Sequence, residues 1–265
     1  MNTKTRISSI LNTSTLDSSI TGFPNFSLSE LEVVKDLEFE LPTNIRLGQL
    51  VEKIVSELIK SSKNYNLQFE NIQIIENKKT IGEIDFIIEK TNTNEQIHLE
   101  LAYKFYLFDP SISSVHINNW IGPNRNDSLR EKLDKLKSKQ FPLLYDENTI
   151  SFLNKVDMNK VSQKLCLLAS LFIPYDNKTK LNSAYQNAIK GYYLSFDLFK
   201  KLDNSEKSYF LPTKKEWGMD PSKSENWTDY HGVENQISIN MEEKQAPMVW
   251  QKFNDEYLVF FIVWW

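Results

Sequence analysis

Three acids and a lysine in this chain have the types and spacing for chemistry on a phosphate. Asp85 stands in the apolar run Gly82-Glu83-Ile84-Asp85-Phe86-Ile87-Ile88. Glu100 and Lys104 stand in a second run, Ile97-His98-Leu99-Glu100-Leu101-Ala102-Tyr103-Lys104-Phe105-Tyr106-Leu107, and Glu52 precedes both. A charge inside such a run is costly to bury without a partner. A metal ion is one such partner. Carboxylate oxygens suit Mg²⁺, which keeps several waters and binds phosphate. The ion polarises a phosphoryl oxygen and lowers the pKa of an attacking water. A lysine beside it orients that water or neutralises charge on phosphorus. The competing reading of the same residues is a buried ion-pair cluster kept as scaffold.

Local periodicity indicates the elements that must position them. Over residues 46–60, Leu47, Leu50, Val51, Ile54, Val55, Leu58 and Ile59 recur at helical spacing and predict an apolar helix face. Gly48 and Glu52 sit on its shoulder, from which a carboxylate reaches the edge of whatever the helix packs on. The plainer role for Glu52 is a solvated helix acid. Residues 67–76, 81–89 and 96–107 predict three strands, with turns at Asn77-Lys78-Lys79 and Thr91-Asn92-Thr93-Asn94. The short second turn makes the second and third strands antiparallel neighbours. Alternation groups Glu100, Ala102 and Lys104 on one face of the third strand, and Glu83, Asp85 and Ile87 on one face of the second. His98 shares the Glu100 face and can approach the site, although a surface or packing role is plainer. Gly82 marks a bulge or a close backbone approach.

Residues 109–125 read as a long irregular connection with His116, Trp120, Gly122, Pro123 and Asn124, a candidate for substrate contact. Ser128-Leu129-Arg130-Glu131 has the capping-box pattern and opens a helix to about Gln140. Leu129, Leu133 and Leu136 form its buried stripe. Arg130, Lys132, Lys135, Lys137 and Lys139 make the rest basic, the best local candidate for phosphate-backbone contact. Residues 163–173 read as a buried strand stopped by Pro174. Residues 183–200 read as helical and then aromatic, and 208–218 and 247–265 as β-rich around a polar stretch.

Composition sets limits. A net charge of -4 gives no whole-chain basic character, so an anion site must be a local patch. The single cysteine, Cys166, excludes an intrachain disulfide and a Cys-rich zinc site, and reads as a small buried hydrophobe. His98, His116 and His231 are scattered, with no metal-binding pair at helical spacing. No Gly-rich phosphate loop or nucleophile elbow occurs. No apolar run reaches the ~18 residues of a membrane span. The Ser-, Thr- and Asn-rich residues 1–22 carry no apolar signal core and read as loosely held, so a cytoplasmic protein without a membrane partner is expected.

The constellation resembles the PD-(D/E)XK nuclease superfamily, the restriction-endonuclease-like fold. Gly82-Glu83-Ile84-Asp85 is similar to the Gly-Glu-Ile-Asp stretch of resolvase-like members. The fuller match is to a bacterial domain family of unknown function, family 1853, placed in that superfamily. It rests on Arg46-Leu47-Gly48 with Glu52, on Gly82 to Phe86, on Glu100 to Tyr106, and on Gly122-Pro123-Asn124 with Asp127, Lys132 and Gln140. The resemblance implies a nuclease core of helix, three strands, helix and strand. It implies Asp85 and Glu100 as ligands of Mg²⁺ or Mn²⁺, Lys104 as the catalytic lysine and Glu52 as the helix acid. It also implies nucleic acid as the partner, contacted by Asn124, Arg130, Lys132, Lys135, Lys139 and Gln140. The superfamily sets its lysine two residues after the second acid. Here that position is Ala102, and Lys104 lies roughly 7 Å further along the same face.

The expected organisation is an α/β fold: an N-terminal segment over 1–44, partly disordered, a nuclease-like core over 45–180, and a C-terminal helix and strands over 181–265. The expected function is metal-dependent hydrolysis of phosphodiester bonds. The alternatives are a non-catalytic nucleic-acid-binding module and an interaction protein without a nucleic-acid partner. The direction of the Arg130–Lys139 face discriminates them.

Overall fold

The computed structural model describes residues 3–33, 37, 39–42, 44–153, 156–158 and 160–265. In chain order, helices α1 (Thr3–Leu11), α2 (Ser18–Thr21) and α3 (Leu47–Lys60) precede strands β1 (Tyr65–Glu76), β2 (Lys79–Lys90) and β3 (Gln96–Phe108). Then come β4 (Trp120–Ile121), α4 (Leu129–Lys135), α5 (Glu147–Phe152), β5 (Ser162–Pro174), β6 (Ile189–Ser195) and α6 (Phe196–Leu202). The chain ends with β7 (Ser208–Phe210), α7 (Tyr230–Glu242), β8 (Met248–Phe253) and β9 (Glu256–Val263). This is a mixed α/β protein in which, among the described residues, a 9-stranded sheet combines parallel and antiparallel pairs. Among those residues no helix is long and apolar enough to cross a membrane.

Two compact units divide the chain. The first comprises Asn2–Tyr103 and Glu131–Leu168. Its strands are ordered β1-β2-β3-β5. The β1–β2 hairpin turns on Asn77 and Lys78 at φ 48 and 62, the left-handed pair that matches strand twist. The predicted face of α3 is the buried one: Leu50, Val51, Ile54, Val55, Leu58 and Ile59 pack with Phe86, Ile88, Leu99 and Leu101. Each such fully buried side chain contributes about 1.5–3 kcal/mol, which fixes α3 against the strands. Glu52 is thereby held at the edge of this contact. The opening segment, read as loosely held, instead carries α1, with Ile7 and Ile10 in the same core and Arg6 buried. Leu129, Leu133 and Leu136 are buried as their spacing indicates.

The second unit comprises Lys104–Arg130 and Ala169–Trp265. Its strands run β5-β6-β9-β8-β7, with β5–β6 and β6–β9 parallel. Residues 183–200 are corrected here. Ser183–Ala188 is a short 3-10 turn and Ile189–Ser195 is strand β6, so the helix read there begins only at Phe196, as α6. Lateral packing on β6 outweighs the helix-like local pattern. At Gly191 a side chain would run into the Val259 carbonyl, so only glycine lets β9 approach. Residues 208–218 are a second correction: only Ser208–Phe210 is strand, followed by the 3-10 turn Lys214–Glu216 with a Thr213–Glu216 capping box. The sequence reading also missed α7. It opens on Asp229, whose side chain accepts from the Gly232 N–H, but it buries only Val233 and Ile237, too thin a stripe to stand out.

Candidate active site

The β2–β3 ladder runs from Glu89 opposite Gln96 to Phe86 opposite Leu99 and stops there. The next step in this register would set Asp85 opposite Glu100. Two side chains take up main-chain groups at this open end. Asp85 Oδ2 accepts from the Leu101 backbone N–H at 2.7 Å. Gln140 Nε2 donates to the Glu83 carbonyl at 3.2 Å. Buried main-chain groups need such partners, so the opening is stabilised by side chains where strand pairing ends.

Asn71 shapes the same point from β1. It has φ 52, and the β1–β2 pairing passes from Glu70↔Phe86 to Ile72↔Ile84 without a pair at Asp85. Regular alternation fails accordingly. Ile84 and Ile87, which a regular strand sets on opposite faces, join one cluster with Leu143 and Leu144. Phe86 and Ile88 join the α3 cluster. The grouping of Glu83, Asp85 and Ile87 on one face is therefore corrected.

The acids act on one another electrostatically. Protein packs around the Asp85 carboxyl, and this burial, followed by the nearby Glu100, pushes it well above the usual carboxylate range. Glu52 adds to the rise, while the Leu101 N–H and Lys132 oppose it. Glu52 is itself raised, first by burial and then by Glu83 and Glu100, with Lys132 again opposing. Glu100 is 1% exposed, so its oxygens depend on protein donors: Oε1 lies 3.0 Å from His98 Nε2, and Oε2 3.4 Å from Gln140 Nε2.

The two lysines lie in different units. Lys132 is the cation that acts on both Asp85 and Glu52. Lys104 belongs to the second unit, where its ammonium bonds Asp127 Oδ2 at 2.7 Å. Past Lys135 the helix widens into a π turn, Leu136–Gln140, whose Phe141 N–H bonds the Leu136 carbonyl. Such turns recur at functional sites. This one ends on Gln140, which contacts Glu83 and Glu100, while Arg130, Lys135 and Lys139 are exposed. Asn124 is engaged within the second unit: its Oδ1 accepts from the Ala246 N–H at 2.8 Å, and its amide bonds Gln245. Its loop is held further by Trp265 Nε1, which donates to the Pro123 carbonyl, and by Arg125 over the Trp265 ring.

A family model described as a domain of unknown function (DUF1853) matches residues 27–257. The chain belongs to this family. No curated protein and no solved structure matches it. The DUF1853 match includes every residue of the acid cluster and its supports. Among the described residues of this DUF1853 chain, no group of three or more His, Cys, Asp or Glu forms a ready-made metal position. What the set offers is narrower: buried carboxylates that share one opening and repel each other. His98 is buried against Phe141 and beside Glu100, so it both packs and approaches the site, as its position two residues before Glu100 allows. Sequence reasoning placed Lys132 on a phosphate-binding face, and nothing local linked Gln163 to the site.

Proposed function

We propose that this protein is a metal-dependent nuclease acting on phosphodiester bonds, built on a restriction-endonuclease-like core. One observation carries the reading: Asp85 and Glu100 lie at the open end of the β2–β3 ladder, within electrostatic range of Glu52 and Lys132. The order α3, β1–β3, α4, β5 supports the core assignment. The donors fit Mg²⁺ or Mn²⁺. They are hard oxygens, and burial together with the nearby Glu100 raises Asp85, a cost of its charged form that a bound divalent cation offsets. Asp85 Oδ2 takes the Leu101 N–H, which leaves Oδ1 for a ligand. Two carboxylates with water suffice for Mg²⁺ at a phosphate.

Asp85 and Glu100 would hold the ion, which when bound supplies Lewis-acid polarisation and an acidified water. The chain's own residues supply the rest. Lys132 neutralises charge that develops on the phosphoryl oxygens. Glu52, whose affinity for a proton is raised by burial and by Glu83, stands at the rim of the site as the group to exchange a proton there. Gln140 and the Leu101 N–H keep Glu100 and Asp85 oriented. The exposed Lys135 and Lys139 track the backbone of the nucleic acid.

A second reading, a nucleic-acid-binding module without catalysis, is favoured by the engagement of Lys104 with Asp127. Assay of the purified protein on single- and double-stranded DNA and RNA with Mg²⁺ or Mn²⁺ separates the two. Cleavage that EDTA and Asp85→Asn both abolish establishes the nuclease. Binding without cleavage under every condition establishes the module.

A further inference from the structure

His98 and Glu100 are both sealed from solvent, at 0% and 1% exposure, so their hydrogen bonds are decided inside the protein. Gln163, on β5, sets the first link. Its Nε2 donates to the Phe141 carbonyl at 2.7 Å, which fixes the side-chain amide with its nitrogen toward that oxygen. The same nitrogen lies 3.2 Å from His98 Nδ1. A nitrogen that donates to both leaves Nδ1 as the acceptor, so the hydrogen of the imidazole is on Nε2. Nε2 points at Glu100 Oε1, 3.0 Å away. The Phe141 ring meets the imidazole edge-on at 5.4 Å and closes off ring rotation. The chain of donors runs from Gln163 through His98 to Glu100, while Gln140 holds the other carboxylate oxygen.

We infer that His98 is a positioning residue: Gln163 fixes its tautomer, and its Nε2–H orients Glu100 for a divalent cation. The inference rests on the metal-dependent reading above only for the identity of what Glu100 binds. A carboxylate that can rotate presents its lone pairs to an ion only part of the time. One held by donors at both oxygens presents them continuously. Partners of this kind are worth about 10–100-fold in metal affinity. A glutamine at position 98 can replace the Nε2–H donor, whereas leucine cannot.

Two measurements on the full chain test this. Calorimetric titration with Mn²⁺ compares wild type, His98→Gln and His98→Leu. Retention within about threefold in His98→Gln, with a loss of about 10–100-fold in His98→Leu, supports the inference. Equal affinity in His98→Leu overturns it. Nitrogen NMR of the metal-free protein at neutral pH reads the His98 ring directly and does not depend on any variant at position 98. A ring protonated at Nε2 alone, becoming a tautomer mixture in Gln163→Leu, supports the inference. A mixture already present in wild type overturns it. Wild type that binds no Mn²⁺ removes the metal-dependent reading and not the tautomer relay, which the NMR result then decides.

Discussion

Asp85 takes with its side chain the Leu101 backbone N–H, at 2.7 Å, just beyond the last β2–β3 pair. The acid therefore has two tasks. It satisfies a main-chain donor at the open end of the ladder, and it stands beside Glu100 as a second negative charge. An asparagine can do the first and not the second, which makes Asp85→Asn the most informative single substitution.

Metal binding should stabilise wild type and not this variant. At a Mn²⁺ concentration of about 100 Kd the gain is about 2.7 kcal/mol, or about 5–10 °C in Tm for a chain of this size. Asp85→Asn should show no gain, with a metal-free Tm equal to or slightly above that of wild type. Thermal melts with and without Mn²⁺ check both. A wild type indifferent to Mn²⁺, with Asp85→Asn melting well below it, would make Asp85 a structural acid.

The pH dependence has a definite sign. Burial and Glu100 raise Asp85 above its ordinary 3.8 in the folded protein. Above pH 3.8 and below the raised folded-state pKa, the folded state keeps a proton that the unfolded chain has lost, so stability falls as pH rises through the window. The Asp85 contribution to metal-free stability is therefore greatest on the acid side. Denaturant titrations in EDTA from about pH 4 to about pH 8 should show a flatter slope for Asp85→Asn than for wild type.

Lys132 and Lys104 should separate. Lys132→Met removes the cation that acts on Asp85 and Glu52 and should lower cleavage by about 10²–10³-fold. Lys104→Met removes a half-exposed pair with Asp127, which should cost at most about 1 kcal/mol and leave cleavage near wild type. Rates and melting temperatures of the two variants decide it; the reverse pattern would return the catalytic role to Lys104.

Exposed cations on the α4 side should contribute sequence-independent affinity. Replacing Lys135 and Lys139 by alanine should reduce the slope of log affinity against log salt by about 2, with similar losses on unrelated sequences. Filter binding across a salt series measures this. An unchanged slope would leave both lysines as solvated surface.

Gly191→Ala tests the packing of β6. The added methyl meets the Val259 carbonyl, and neither strand can withdraw without losing its pairing. A loss of about 1–3 kcal/mol is expected in urea melts, since overpacking a fixed contact costs that much.

Local sequence determined α3 and the three strands after it, because apolar spacing, tight turns and an Asn-Lys turn are readable within a dozen residues of one another. It also placed Glu52, Asp85 and Glu100 on elements that bring them together, since a short hairpin leaves β2 and β3 few other registers. Tertiary structure alone decided the rest. Strand β6 depends on parallel neighbours contributed by β5 and β9, which no local pattern encodes. Asn71 takes φ 52 inside β1, and such a conformation has no sequence marker stronger than the asparagine itself. Lys104 pairs with Asp127, Lys132 lies within electrostatic range of the acids, and Gln163 reaches His98 across 65 residues of chain. Hydrogen bonds and charges act through space, so the partners of a buried polar group are set by which elements pack together, not by the residues beside it in the sequence.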